Sequence, residues 1–187
     1  SIDPATGRII QNRVYDKINY QTSFTDFKIF HLYCKTFLNK GSIRSADVNK
    51  VLGMARKAIN TWKNDSDSHA KVTLLQYKLI EEKAGGIYVL SQLGSRFLDL
   101  FDDDGEMIAD RVTANEVLFD MIVAWHQKDE NFDIHPGQLL LRLLLQPELH
   151  YYITDQDVAC VFNNTNNTKD EQYADIVKQI LEFRDSG

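Results

Sequence analysis

Residues 79–94, LIEEKAGGIYVLSQLG, decide the fold. Leu79-Ile80 closes an apolar pattern, and Glu81-Glu82-Lys83 is charged. Gly85-Gly86 tolerates the positive φ angles of a tight hairpin. Ile87, Tyr88, Val89 and Leu90 are good strand formers. Ser91 is suited to cap a helix through Arg96, Phe97 and Leu100. The stretch therefore predicts strand, hairpin, strand and helix, in that order.

Short helices are expected upstream. Phe24, Phe27, Phe30, His31, Cys34, Phe37 and Leu38 recur at spacings of three and four, which predicts a helix over 24–39. Lys40-Gly41 should stop it. Ser45 should cap a second helix through Val48, Val51 and Leu52, interrupted at Gly53. Ala55, Ile59 and Trp62 then carry the apolar stripe to Lys63. Residues 64–68 are polar and turn-prone. A further helix over about 69–79 should bury Val72, Leu75 and Leu79. Short helices followed by a hairpin are the layout of a winged helix. Winged helices usually grip DNA, although many grip proteins. The expected fold is mainly α: a winged helix-turn-helix with a small β-hairpin wing, plus an additional C-terminal helical subdomain.

That subdomain starts after a turn at Asp102-Asp103-Asp104-Gly105. Thr113 with Glu116 predicts a capping box before Val117, Leu118, Met121, Ile122 and Trp125. Pro136 opens a Leu-rich helix over 137–145. Thr154 and Asp157 mark another helix start, before Val158 and Val161-Phe162. An Asn/Thr loop, 163–169, precedes an amphipathic helix from Glu171 to Phe183. The domain boundaries expected are a linker and N-terminal segment at 1–23, a winged-helix DNA-binding domain at 24–101, and an acidic helical subdomain at 102–187. Within the last, 134–162 has the outline of a second helix-turn-helix-like unit. Both ends of the chain resemble the edges of a piece of a larger protein.

Composition narrows the function classes. The chain has 187 residues, 43% hydrophobic and 26% charged, ordinary for a soluble globular protein. No apolar run approaches the ~20 residues of a membrane span, and no secretory signal is visible in these residues. Cys34 and Cys160 both sit in apolar patterns, which favours buried thiols over a disulfide and a cytoplasmic location. The sequons at Asn163 and Asn166 then carry little weight. The net charge of −6 hides an asymmetry. Residues 1–83 hold 14 Lys+Arg against 8 Asp+Glu, whereas 84–187 hold 7 against 19. A basic half joined to an acidic half points to two jobs.

The basic half contains a DNA-reading pattern. Segment 45–63 resembles the helix-turn-helix family, with Leu52-Gly53 at the turn. Asn49 departs from it, standing where a small apolar residue usually packs. On a helix over 55–63, Ala55, Ile59 and Trp62 face inward, while Arg56, Asn60 and Lys63 face outward beside Lys57. Arg bonds guanine bidentately, Asn bonds adenine and Lys meets phosphate. The plainer alternative is a solvated helix face. The helix before the wing is a rival reader, presenting His69, Thr73 and Gln76 with Lys71 beside them. Lys83, next to the hairpin, is placed for phosphate, although Lys also guards sheet edges.

Other motifs fail. Asp102–Asp104 with Gly105 puts Leu100 and Arg111 where a calcium loop needs oxygen ligands. Glu81 and Lys83 with Asp65 or Asp67 imitate a nuclease grouping, but a site between a helix and a wing does not suit it. His31, His69, His126, His135 and His150 show no zinc-like spacing with either cysteine. His31 is expected to be packed. No catalytic motif, metal site or cofactor is expected.

The whole order resembles the recognition region of the AlwI-like type II restriction endonucleases. The likeness rests on the wing junction Tyr88-Val89-Leu90-Ser91-Gln92-Leu93-Gly94, on Ile134-His135-Pro136 before Leu139 to Leu145, on the helix start at Thr154 to Asp157, and on Ile180-Leu181-Glu182-Phe183-Arg184. It implies sequence-specific double-stranded DNA recognition within a restriction endonuclease or related defence protein. The acidic half would then face a nuclease domain or partner subunit. The family's nuclease motif is not visible, so cleavage is not carried over. A protein-interaction winged helix and a bacterial or phage transcription regulator remain as alternatives.

Overall fold

A computed structural model describes residues 26–128, 133–158 and 170–185, with side chains from 173 in the last span. The expected linker at 1–23, Phe24, Cys160, Val161-Phe162 and the loop 163–169 lie outside these residues. The chain divides into two compact units, Gln21–Ala124 and a second that includes Trp125–Gly187.

The first unit begins with α1, Phe27–Lys40. The Asp26 carboxylate accepts from the Lys28 N–H at 2.9 Å and caps it. Ile29, Phe30, Tyr33, Cys34 and Phe37 form its buried face, and Gly41, at φ +69°, ends it. Then come β1 (Ile43–Arg44), α2 (Val48–Ala58) and α3 (Ala70–Gln76). The strands β2 (Ile80–Lys83) and β3 (Ile87–Leu90) form the expected hairpin. Gly85 and Gly86 turn it at φ +83° and +70°. The antiparallel sheet runs β1-β3-β2, with Ile43 opposite Tyr88 and Ile80 opposite Leu90. Ser91 accepts from the Gly94 N–H and caps α4 (Gln92–Leu98), as its sequence predicts. α5 (Arg111–Ala124) packs against α4. Phe30, Phe97 and Phe101 share the core beneath α1, in tilted or edge-on contact. His31 is buried against the Phe101 ring, which pushes its imidazole pKa down by desolvation.

Three expectations are corrected here. First, α2 passes through Gly53 without a break and ends at Ala58, so 45–63 is not a helix-turn-helix. The glycine has a tertiary reason: a Cβ there would stand 2.4 Å from the Ser66 Cα. The later loop lies directly on the helix at this point. Second, α3 is shorter and turned. Ala70, Thr73 and Leu74 are buried, and Val72 is exposed. Lys78 takes φ +56° and Leu79 leads into β2, so Leu79 cannot set the helix face. Third, α5 is capped by Asp110 rather than Thr113. The Asp110 Oδ1 accepts from the Val112 and Thr113 N–H groups, and its Oδ2 from the Thr113 hydroxyl.

The second unit contains the strand pair β4 (Gln127–Lys128) and β5 (Asp133–Ile134), then α6 (Pro136–Leu144). Pro136 opens α6 as expected. A 3₁₀ turn at Pro147–Leu149, a helical stretch from 155 and the last helix, Asp170–Asp185, follow. Ile134, Leu139, Leu143, Leu149, Ile176 and Ile180 form the core. The predicted Thr154–Asp157 cap is present and reciprocal: each side chain accepts from the other residue's N–H, at 2.7 and 3.1 Å.

Candidate nucleic-acid interface

The segment between α2 and α3 is held by one buried cluster. The Asp67 Oδ2 accepts from the Arg56 Nη1 at 2.8 Å and from the Tyr33 hydroxyl at 2.5 Å. Both side chains of the ion pair are nearly closed to solvent, 12% exposed for Arg56 and 2% for Asp67. The Arg56 guanidinium also lies 4.2 Å from the centre of the Trp62 ring. The Trp62 Nε1 donates to the Ser66 carbonyl. Burial pushes the Tyr33 phenol well above its ordinary pKa, and the neighbouring Asp67 adds to this. Desolvation opposes the Arg56 charge, but its hydrogen bonds to Asp67 and Tyr33 outweigh that and raise its pKa.

Asn49 explains why the tight helix-turn-helix turn is missing. Its Oδ1 accepts from the Lys71 N–H, its Nδ2 donates to the Ser68 carbonyl, and its own carbonyl accepts from the Asp67 N–H. A small apolar residue at this position would make neither side-chain bond. Asn49 thus fastens the beginning of α3 to the beginning of α2. Lys71 completes the join. Its Nζ donates to the Ser45 Oγ at 2.7 Å and lies 4.9 Å from the centre of the Tyr88 ring. The Ser45 N–H donates to the Gly86 carbonyl, so β1 reaches the tip of the hairpin. Ser45, Lys71 and Tyr88 therefore come together from α2's entry, α3 and the hairpin.

The sequence-predicted residues are placed as follows. Arg56 is directed inward and held by Asp67. Lys57 is exposed beside Asp65, at 2.5 Å. Asn60 lies beyond α2, at φ +59°, and Lys63 is exposed in the following bend. Arg56, Asn60 and Lys63 therefore do not share a helix face. His69 is half-buried just before α3, and its N–H donates to the Asp67 Oδ1. Thr73, expected to face outward, is buried. Gln76 is half-buried at the end of α3. Lys83 is exposed and pairs with Glu81 along the same strand, at 2.6 Å.

Several cations of the basic half are matched by acids. Lys28 and Lys35 pair with Glu106 and Asp103 from the acidic turn, and Arg44 pairs with Asp47. Lys40, Lys50, Lys63, Lys71 and Lys78 have no ion pair among the described residues. Lys40, Arg44 and Lys50 border one shallow pocket beside β1 and the first turn of α2, about 320 Å³ in volume. Lys40, Lys50 and Lys78 lie outside the outward faces that the sequence pattern assigns to 55–63 and 69–79. The local excess of positive charge was the available signal. The carboxylates of the nuclease-like grouping are engaged separately: Asp65 with Lys57, Asp67 with Arg56 and Tyr33, and Glu81 with Lys83.

A chain of short helices and a small antiparallel sheet, basic at the front and acidic behind, is consistent with the N-terminal region of a type II restriction endonuclease. Residues 48–187 match the family model "Type II restriction endonuclease HgaI, N-terminal domain". The chain belongs to this family. No curated protein and no solved structure gave a match. No helix among the described residues is long and apolar enough to cross a membrane.

Proposed function

We propose that residues 24–101 are a winged helix that binds duplex DNA sequence-specifically, as the recognition module of a restriction endonuclease. The observation that carries this is the order α1-β1-α2-α3-β2-β3, closed by a β1-β3-β2 sheet, within the cationic part of the chain. The likeness of the wing junction to the AlwI-like enzymes agrees with it. Lys50, Lys63, Lys71 and Lys78 meet phosphates. Lys57 and Lys83 exchange exposed acid partners for phosphate, at little cost because surface pairs contribute little. His69 and Gln76 stand at the two ends of α3 as base-edge contacts. Arg56 and Thr73 act from inside, by fixing the orientation of α3.

The acidic half, 102–187, meets a nuclease domain or partner subunit. Val112, Phe119 and Ile122 are exposed on α5, which favours such a contact. The protein works in the cytoplasm. Selection from a random duplex pool at low salt tests the proposal. Enrichment of one short motif is expected. Recovery of no duplex above background would overturn it.

A further inference from the structure

We propose that His126, Asp133 and His135 form a site for one transition-metal ion of the zinc, nickel or copper class. This inference is independent of the DNA-binding proposal. The site is created by strand pairing rather than by a contiguous motif. Gln127 lies opposite Ile134 and Lys128 opposite Asp133. Continuing that register by one residue sets His126 opposite His135. Side chains alternate faces along a strand. Gln127 and Ile134 are buried, which leaves His126, Lys128, Asp133 and His135 together on the other face.

The geometry suits a shared ion. The two imidazoles are parallel, with ring centres 4.3 Å apart and planes within 9°. The His126 Nε2 lies 2.7 Å from the Asp133 Oδ1. One ligand atom from each of the three residues lies within 4.8 Å of the others. Metal–nitrogen and metal–oxygen bonds of about 2.0–2.2 Å put two ligands of one ion roughly 3–4 Å apart. To reach that spacing the stacked rings must turn so that one nitrogen of each points at the ion. The ion would then take the place of the proton that now joins His126 and Asp133.

The neighbouring charge selects the metal. The Lys128 Nζ lies 3.0 Å from the Asp133 Oδ2 and steadies the carboxylate with Oδ1 toward the rings. Calcium and magnesium need several oxygen ligands, and here they would meet one carboxylate beside an ammonium. Paired imidazoles favour zinc, nickel or copper. Three protein ligands leave a coordination position open. Bound there, the ion would pin β4 to β5 at the entry to α6.

The test is calorimetric titration of the whole chain, stripped with chelator, with zinc chloride near neutral pH. One equivalent is expected to bind, and magnesium chloride should give no heat. His126→Ala and His135→Ala should each weaken zinc by about 100-fold or more, and Asp133→Asn by about 10-fold. On the unsubstituted chain, NMR should show zinc moving the ring signals of two of the five histidines. Absence of zinc uptake by the unsubstituted chain would overturn the assignment. So would undiminished uptake by the His126→Ala/His135→Ala double variant, which would place the metal elsewhere.

Discussion

Both units use the same device, an aspartate closed off from solvent and gripped by an arginine that lies over an aromatic ring. In the first unit it is Asp67 with Arg56 over Trp62. In the second it is Asp157 with Arg184 over Tyr152, at 2.7 Å for the ion pair and 4.3 Å to the ring centre. The surroundings differ. Asp67 also takes the Tyr33 hydroxyl, so its cluster fixes a loop between two helices. Asp157 instead caps a helix start, and Arg184 donates to the Leu149 and Tyr152 carbonyls. One cluster holds the loop that enters the helix before the hairpin, whereas the other closes a helical core. A buried ion pair is weak evidence for net stability, yet breaking one leaves an uncompensated charge. The two clusters should therefore matter alike for folding and differently for DNA.

The largest expected effect comes from removing one partner. Arg56→Ala should destabilise the first unit by about 3–5 kcal/mol in urea unfolding, and Arg184→Ala the second by a similar amount. Only Arg56→Ala should change duplex affinity at a temperature where both variants remain folded. An equal loss from Arg184→Ala would erase the distinction. Gly53→Ala comes next. Its Cβ must push back the Ser66–Asp67 backbone, so a loss of about 1–3 kcal/mol is expected. An unchanged melting temperature would show that the loop yields freely.

A smaller effect should appear in acid. Burial opposes the Asp157 charge, but hydrogen bonds from Arg184 and Thr154 prevail and hold its pKa below the ordinary 3.8. A carboxylate depressed on folding stabilises above its unfolded value, and that contribution is lost as pH falls through the folded value. Asp157→Asn should therefore be less stable than the original near neutral pH, with the gap narrowing as pH drops below about 4. A gap that stays constant would mean that Asp157 is not charged in the fold.

How much of this was legible in the sequence depended on the range of the interaction. The hairpin was legible because Gly85-Gly86 and the strand formers after it act locally. The caps at Ser91 and Thr154–Asp157 were legible for the same reason, as was Pro136. Gly53 misled because its purpose is the loop at 66–67, more than ten residues further on. Arg56 fitted an outward helix face in the pattern, and only the fold brings Asp67, Tyr33 and Trp62 around it. Thr73 was misplaced because the helix ends early, at Gln76, and Leu79 lies in the bend that leads into β2. His126 and His135 had no motif spacing at all. Strand pairing makes them neighbours.

The most direct test of the central claim is the salt dependence of duplex affinity, followed by fluorescence anisotropy. Each phosphate neutralised contributes a log–log slope of about −0.9. Contacts by Lys50, Lys57, Lys63, Lys71, Lys78 and Lys83 predict a slope of about −5.4. Replacing Lys50 and Lys63 by Ala should make it shallower by about 1.8, with stability altered by no more than about 0.5 kcal/mol per site. A slope near zero, or one unmoved by both substitutions, would contradict a duplex-binding surface in the first unit.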